Sequence, residues 1–237
     1  MRPLFSLQGG KAYQGKMLVE KFPTECTTYI EPFVGAGGVF FTKQKSENEI
    51  INDKDTDTIF VFKMIQKLPE APKLTEELCD TKEKFIKWKN FSPKNEIERL
   101  NKILILQKCS WRGNRVDYAP SRAGTINNTN FIKNWEKYHQ RLKGVKIYNK
   151  DWKDIVQAYK NDSNAFIYLD PPYETTDSIN ITKASKDGEY YGKINLNELI
   201  LFLNECKCKW MLSFTLNKEL MKRMKGFNIK TYTTRKL

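Results

Sequence analysis

The feature that most constrains this chain is an apolar run, Ala165-Phe166-Ile167-Tyr168-Leu169, that ends in Asp170-Pro171-Pro172-Tyr173. Bounded by Asp162-Ser163-Asn164 before and two prolines after, the run predicts a buried central strand. The four-residue motif is thereby predicted at the carboxyl end of a strand, where open α/β sheets place their ligands. An ionised Asp170 only accepts hydrogen bonds. Pro171 and Pro172 fix the backbone, remove two donors and leave carbonyls free to accept. Tyr173 offers a flat face for stacking. Acceptors beside a stacking ring suit the exocyclic amine of a nucleobase. That nitrogen is a poor nucleophile because its lone pair is delocalised into the ring, and two acceptors on its hydrogens draw it toward tetrahedral geometry. Read alone, the same four residues also describe a strand-ending turn capped by an Asp.

The amino-terminal part supplies a second unit. Leu7-Gln8-Gly9-Gly10-Lys11 sets a cation beside paired glycines, which let backbone approach a ligand closely. A short helix is predicted from about Tyr13 to Phe22. The β-branched and aromatic stretch Thr27 to Phe33 predicts a strand. It runs into Val34-Gly35-Ala36-Gly37-Gly38, with a helix expected from Val39-Phe40-Phe41. Strand, glycine turn and helix make the opening of a nucleotide-binding α/β fold. A second strand, Glu49 to Asp53, ends in an acid at the distance where such folds accept from ribose hydroxyls. Asp53 also suits a helix cap for the helix expected over Thr56 to Leu68.

Strand alternation is then missing for some ninety residues. Helices are predicted over Thr75 to Asn90, Pro93 to Cys109 and Asn130 to Leu142, an inserted helical block within the βαβ pattern. Between the last two lies Cys109 to Gly124, where Lys108, Arg112, Arg115 and Arg122 face a single acid, Asp117. Glycines, arginines and aromatics mixed with Asn114 and Ser110 suit a loop or hairpin that reads DNA, by phosphate and base-edge contacts and by aromatic wedging. A solvated loop is the plainer reading. Beyond the block, Val145 to Trp152 predicts a strand and Asp154 to Tyr159 a helix. After Tyr173 come a polar stretch, Thr175 to Tyr191, read as mobile, a helix from Asn195 to Glu205, a strand over Lys209 to Phe214, a helix over Lys218 to Met224, and a last strand, Phe227 to Thr234.

Composition narrows the chemistry. His139 is the only histidine, so a Ser-His-Asp or His-based metal mechanism has little to draw on, and no metal site is expected. The cysteines Cys26, Cys79, Cys109, Cys206 and Cys208 show no Cys-x-x-Cys spacing, which predicts reduced thiols in a cytosol. No apolar stretch is long enough to span a bilayer, and the amino terminus lacks a signal-peptide pattern. Lys and Arg number 41 against 28 Asp and Glu, a net charge of +13 that favours a polyanionic partner.

With these pieces in order, the sequence resembles the Dam-type family of DNA adenine-N6 methyltransferases. The likeness covers nearly the whole chain: the glycine-lysine start, Glu31-Pro32-Phe33-Val34-Gly35-Ala36-Gly37, the recognition block, and Asp170-Pro171-Pro172-Tyr173. It implies an α/β, Rossmann-like, S-adenosylmethionine-dependent fold formed by residues 1–55 and 145–237. Residues 56–144 become a helical DNA-recognition insert with a hairpin near 109–124. Carried onto this chain, the resemblance assigns Leu7, Gly10, Lys11, Phe33, Gly35, Ala36, Gly37, Asp53, Asp151, Trp152 and Asp170 to the cofactor. It assigns Asp170, Pro171, Pro172 and Tyr173 to the flipped adenine, while the clustering in the 109–124 loop itself points Arg112, Asn114, Arg115, Tyr118 and Arg122 to double-stranded DNA. Leu7 and Trp152 depart from the aromatic and Phe that relatives carry, so Trp152 is expected to take over stacking on the cofactor's adenine. Relatives also carry one further strand beyond the position of Thr234. A cytoplasmic monomer or weak dimer of bacterial, phage or viral origin is implied. A catalytically silent DNA-binding protein, a cytosine-N4 enzyme, and an RNA or protein methyltransferase remain open at this point.

Overall fold

The computed structural model describes residues 1–7, 10–11, 13–172, 194–214 and 218–232. Tyr173 and the stretch Thr175 to Tyr191 lie outside the described residues. Five strands, β1 (Thr28–Glu31), β2 (Asn48–Asn52), β3 (Lys146–Tyr148), β4 (Ala165–Leu169) and β5 (Lys209–Leu212), form one sheet in the order β3-β2-β1-β4-β5. Every pairing is parallel, and Ile30 of β1 lies opposite Ile50 of β2 and Ile167 of β4. The order reverses between β1 and β4, so the crevice at their carboxyl ends is the topological switch point of a doubly wound, Rossmann-like fold.

Parallel sheets need cover on both faces, and alternate side chains of each strand supply it. Tyr29, Ile51, Phe166 and Tyr168 point to one face, sharing a core with α2 (Thr56–Lys67), α4 (Glu96–Cys109) and α6 (Trp135–Leu142). Ile30, Ile50, Ile167 and Leu169 point to the other. There they meet Trp152 and Ile155 of α7 (Trp152–Gln157) and Leu199 and Phe202 of α8 (Leu196–Glu205). The remaining described helices are α1 (Gly15–Val19), α3 (Lys82–Asn90), α5 (Asn130–Lys133) and α9 (Lys218–Arg223). None of the described helices is long and apolar enough to cross a membrane.

The helices between β2 and β3 are bolted to the sheet by charge as well as by packing. Glu49 at the start of β2 is buried between Lys43, at 2.5 Å, and the Arg141 guanidinium of α6, which grips both carboxylate oxygens. Burial alone pushes the Glu49 carboxyl up, but hydrogen bonds from Arg141 and Lys43 win and hold it below its ordinary value. His139 on the same helix is buried, with Nδ1 3.0 Å from the Ile65 carbonyl, a structural role.

Four expectations are corrected. The helix expected over Thr75 to Asn90 begins only at Lys82: Cys79 bridges to Gly124, and Thr81 caps α3 by accepting from the Lys84 amide. The helix expected from Val39 is a run of irregular turns. Its carbonyls are claimed from afar, Phe41 by the terminal ammonium of Met1 and Phe40 by Arg141, and the Thr42 hydroxyl takes Gly38. The helix over Asn130 to Leu142 breaks at Asn134, whose side chain donates back to the Asn130 carbonyl. The strand expected over Phe227 to Thr234 is absent from the sheet among the described residues 227–232.

Candidate active site

Asp170 leaves the end of β4 and is held on one oxygen from two sides. Lys11 Nζ, from the amino-terminal segment, lies 2.6 Å from Asp170 Oδ1. Ser213, just beyond β5, donates its hydroxyl to the same oxygen at 2.6 Å. Ser213 is itself fixed twice, by its amide on the Leu169 carbonyl and by the buried Tyr168 hydroxyl at 3.0 Å. Oδ2 is left without a protein donor among the described residues, and the chain continues into the buried Pro171 and half-buried Pro172. The site therefore presents an oriented acceptor.

The glycine turn sits at the end of the neighbouring strand. Gly35 and Gly37 have φ of +48° and +76°, and a Cβ on Gly37 would come 2.6 Å from the Phe41 ring. Only glycine combines that backbone with that packing. Asp53, just past β2, braces the turn by accepting from the Gly35 amide (2.8 Å) and the Asp55 amide (2.9 Å). Burial pushes its carboxyl up to about 6, although those two amides oppose the shift. Leu7 covers the turn, 3.4 Å from where a Gly35 Cβ would stand, and its carbonyl accepts from Gly10. Ala36 is buried, and its carbonyl accepts from the Leu4 amide. Leu7, Gly10, Lys11, Gly35, Ala36, Gly37, Asp53 and Asp170 are thus linked by these contacts into one cluster at the carboxyl edge of the sheet.

Several assigned residues are engaged within the fold. Trp152 opens α7 inside the core, its ring 6.0 Å from Phe33 and 5.9 Å from Phe202, so it buttresses Phe33 instead of presenting an open stacking face. Asp151 caps the same helix through the Lys153 amide. Arg115 is 5% exposed, with its guanidinium on Asp55 and Asp57, away from solvent. Arg112 is exposed beside Trp111, itself 56% exposed. Arg122 is half-buried with Nε on the Lys108 carbonyl; Asn114 pairs with Asp117, and the Tyr118 ring packs on Phe85. The hairpin expected near 109–124 is a loop pinned by a single bridge, Ser110 to Tyr118, with the Trp111 amide on the Asp117 carbonyl.

Four neighbours of these residues received no role from the sequence: Ser213, Tyr168, Asn52 and Glu31. Asn52 is buried and ties the Pro32 carbonyl to both backbone groups of Lys150, joining the loops after β1 and β3. Glu31 is buried, with the Tyr29 hydroxyl 2.6 Å away. Burial pushes its carboxyl up to about 8 against that hydrogen bond, and the nearby Asp170 carboxylate adds to the rise. Position at the carboxyl edge of the sheet was the signal that could have found Ser213.

Comparison with known proteins adds to this geometry. The family described as D12 class N6 adenine-specific DNA methyltransferase matches residues 8–236. The chain is 27% identical to the Type II methyltransferase M.MjaIII of Methanocaldococcus jannaschii, over all of this chain and 92% of that protein. It is 26% identical to the Type II methyltransferase M.CviBI of Paramecium bursaria Chlorella virus NC1A, over 74% of this chain and 70% of that protein. With the Type II methyltransferase M1.LlaDCHI of Lactococcus lactis subsp. cremoris it shares 22% identity over 97% of this chain.

The Glu31 environment predicts a pH signature. A carboxyl raised in the folded state binds more protons there than in the unfolded chain, so stability falls as pH rises from its ordinary value toward about 8. Melts of wild type between pH 5 and 8 should lose stability at up to about 1 kcal/mol per pH unit relative to Glu31→Gln, which titrates nowhere in this window. Parallel curves for the two proteins would contradict the assignment.

Proposed function

The chain belongs to the D12 class N6 adenine-specific DNA methyltransferase family, and from that premise we propose how its residues perform the methylation of adenine N6 in DNA. The observation that carries the proposal is the single-sided grip on Asp170, which leaves Oδ2 as an acceptor; the Pro171 carbonyl is the second acceptor in this reading. Those two take the hydrogens of the adenine amine, localise its lone pair and aim it across the crevice. Tyr173, outside the described residues, is the assigned stacking partner of the flipped base. Flipping the target out of the duplex costs a few kcal/mol, which stacking and the two acceptors offset. Lys11 and Ser213 fix the orientation of Asp170 as an acceptor, and positioning and electrostatics supply the rate.

S-adenosylmethionine is the methyl donor in this reading. The residues fit it: a glycine turn open to close backbone approach, Leu7 over it, and Asp53 with one lone pair free on each oxygen for ribose hydroxyls. The cofactor supplies an activated methyl on a sulfonium, so no protein nucleophile is required. Phe33 to Gly37 line its methionine end, and Trp152 acts on it through Phe33.

DNA approaches the loop of residues 109–124, where Arg112 and Trp111 stand exposed and the chain as a whole carries +13. Its substrate is double-stranded DNA, bound by a cytoplasmic monomer or weak dimer. By analogy with relatives named as Type II methyltransferases, its setting is restriction–modification.

The reading is tested by incubating the protein with unmethylated DNA and labelled S-adenosylmethionine and identifying the labelled nucleoside after digestion. Label in the deoxy form of N6-methyladenosine is expected. Label in N4-methylcytosine, or none where cofactor and DNA both bind, would overturn it.

DNA affinity should fall steeply with salt, and Arg112→Ala should reduce the slope of log K against log[salt] by about one phosphate contact. Arg115, buried on acids, should leave that slope unchanged when replaced by Lys. An unchanged slope for Arg112→Ala would remove it from the interface.

A further inference from the structure

Arg115 and Gly113 tie the exposed tip of the 109–124 loop to the two walls of the cofactor crevice. On one wall, the Arg115 guanidinium is buried against Asp55, with Asp57 at 3.4 Å. Asp55 caps α2, and its amide is one of the two that Asp53 holds. The path from the glycine turn to the loop is therefore Gly35 amide, Asp53 carboxylate, Asp55 amide, Asp55 carboxylate and Arg115, with a direct hydrogen bond at each link between residues. On the other wall, Gly113 packs so closely on the Ser6 carbonyl and the Gln107 amide that a Cβ there would collide with both. Gln107 is itself buried and donates to Ser6, the residue before Leu7.

The loop backbone is costly to hold in this shape. Arg112 and Arg115 both have positive φ, +50° and +59°, a region that branched and long L residues rarely adopt. What holds Arg115 there is its ion pair and the Ser110 hydroxyl, which accepts from its amide at 2.8 Å. The exposed pair Trp111 and Arg112 is presented by this strained segment. Its shape thus depends on where Asp55 sits, and Asp55 depends on Asp53.

We propose that Arg115 is a positioning residue, not a DNA contact, and that the Asp53–Asp55–Arg115 chain couples occupancy of the cofactor crevice to the DNA-ready form of the loop. A nucleoside whose hydroxyls engage Asp53 fixes the turn at Asp55, and through Arg115 the loop that meets DNA. Coupling of this kind is reciprocal: DNA strengthens cofactor binding by the same factor by which cofactor strengthens DNA binding. The inference rests on the function proposed above.

The test measures affinity of the full chain for S-adenosylhomocysteine by calorimetry, with and without an unmethylated plasmid fragment, and DNA affinity with and without S-adenosylhomocysteine. Wild type should show one coupling factor by both routes, within the range of about 5–150-fold seen for linked sites. Asp55→Asn keeps the helix cap, because Asn serves there as well as Asp, but removes the charge that Arg115 holds. It should bring the factor close to one while leaving binding of S-adenosylhomocysteine alone nearly unchanged. Arg115→Lys keeps the charge without the fork and should lower the factor part-way. A wild-type factor of one, or an undiminished factor in Asp55→Asn and Arg115→Lys, would overturn the coupling while leaving the methyl-transfer reading intact. A wild type that binds neither ligand would overturn both.

Discussion

The structure depends on one oriented carboxylate. Asp170 is reached by Lys11 from 159 residues away and by Ser213 from 43 residues away, and both land on the same oxygen. Neither contact is local, so the acceptor exists only when the amino-terminal segment, β4 and β5 are all in place. A half-buried acid with two short, charge-assisted or hydroxyl donors on one side has little freedom left, and orientation is what the reaction asks of it. The parallel sheet makes this possible by bringing the ends of β1, β4 and β5 to one edge at the strand-order reversal.

Across the sheet and its edges, carboxylates serve distinct purposes set by their partners. Asp170 is paired and faces the crevice. Asp53 braces the glycine turn with backbone amides, and Asp55 caps a helix while holding Arg115. Glu49 anchors the helical block through Lys43 and Arg141. Glu31, buried with a single tyrosine donor near the Asp170 charge, is the one pushed to about 8. The same side-chain chemistry gives an oriented acceptor, a brace, a strut, an anchor and a proton-holding group, according to burial and to which donors arrive.

How much of this was legible in the sequence follows from the range of each interaction. The β4 strand, the Asp-Pro-Pro-Tyr motif, the glycine turn and the acid after β2 are written in contiguous residues, and the structure places their described members at one crevice. Arg115 looked like a DNA contact because it shares a Gly/Asn-containing loop with Arg112 and Arg122, while its partner, Asp55, lies 60 residues upstream. Trp152 looked like a stacking platform because nothing local revealed Phe33 and Phe202 on either side of it. The helix expected after the glycine turn fails because Met1 and Arg141, 40 and 101 residues away in the chain, take its carbonyls. Ser213 carries no motif at all; only the pairing of β5 with β4 brings it to Asp170.

The central claim is that the Asp170 carboxylate prepares the adenine amine and does not merely bind DNA. Its most direct test is the single-turnover rate of methyl transfer by Asp170→Ala at saturating S-adenosylmethionine and DNA, compared with wild type. Loss of one preorganised contact to the reacting group should lower that rate by at least ~10²–10³-fold, with DNA affinity nearly unchanged. A variant that transfers methyl groups at the wild-type rate would contradict the account and move the catalytic centre elsewhere.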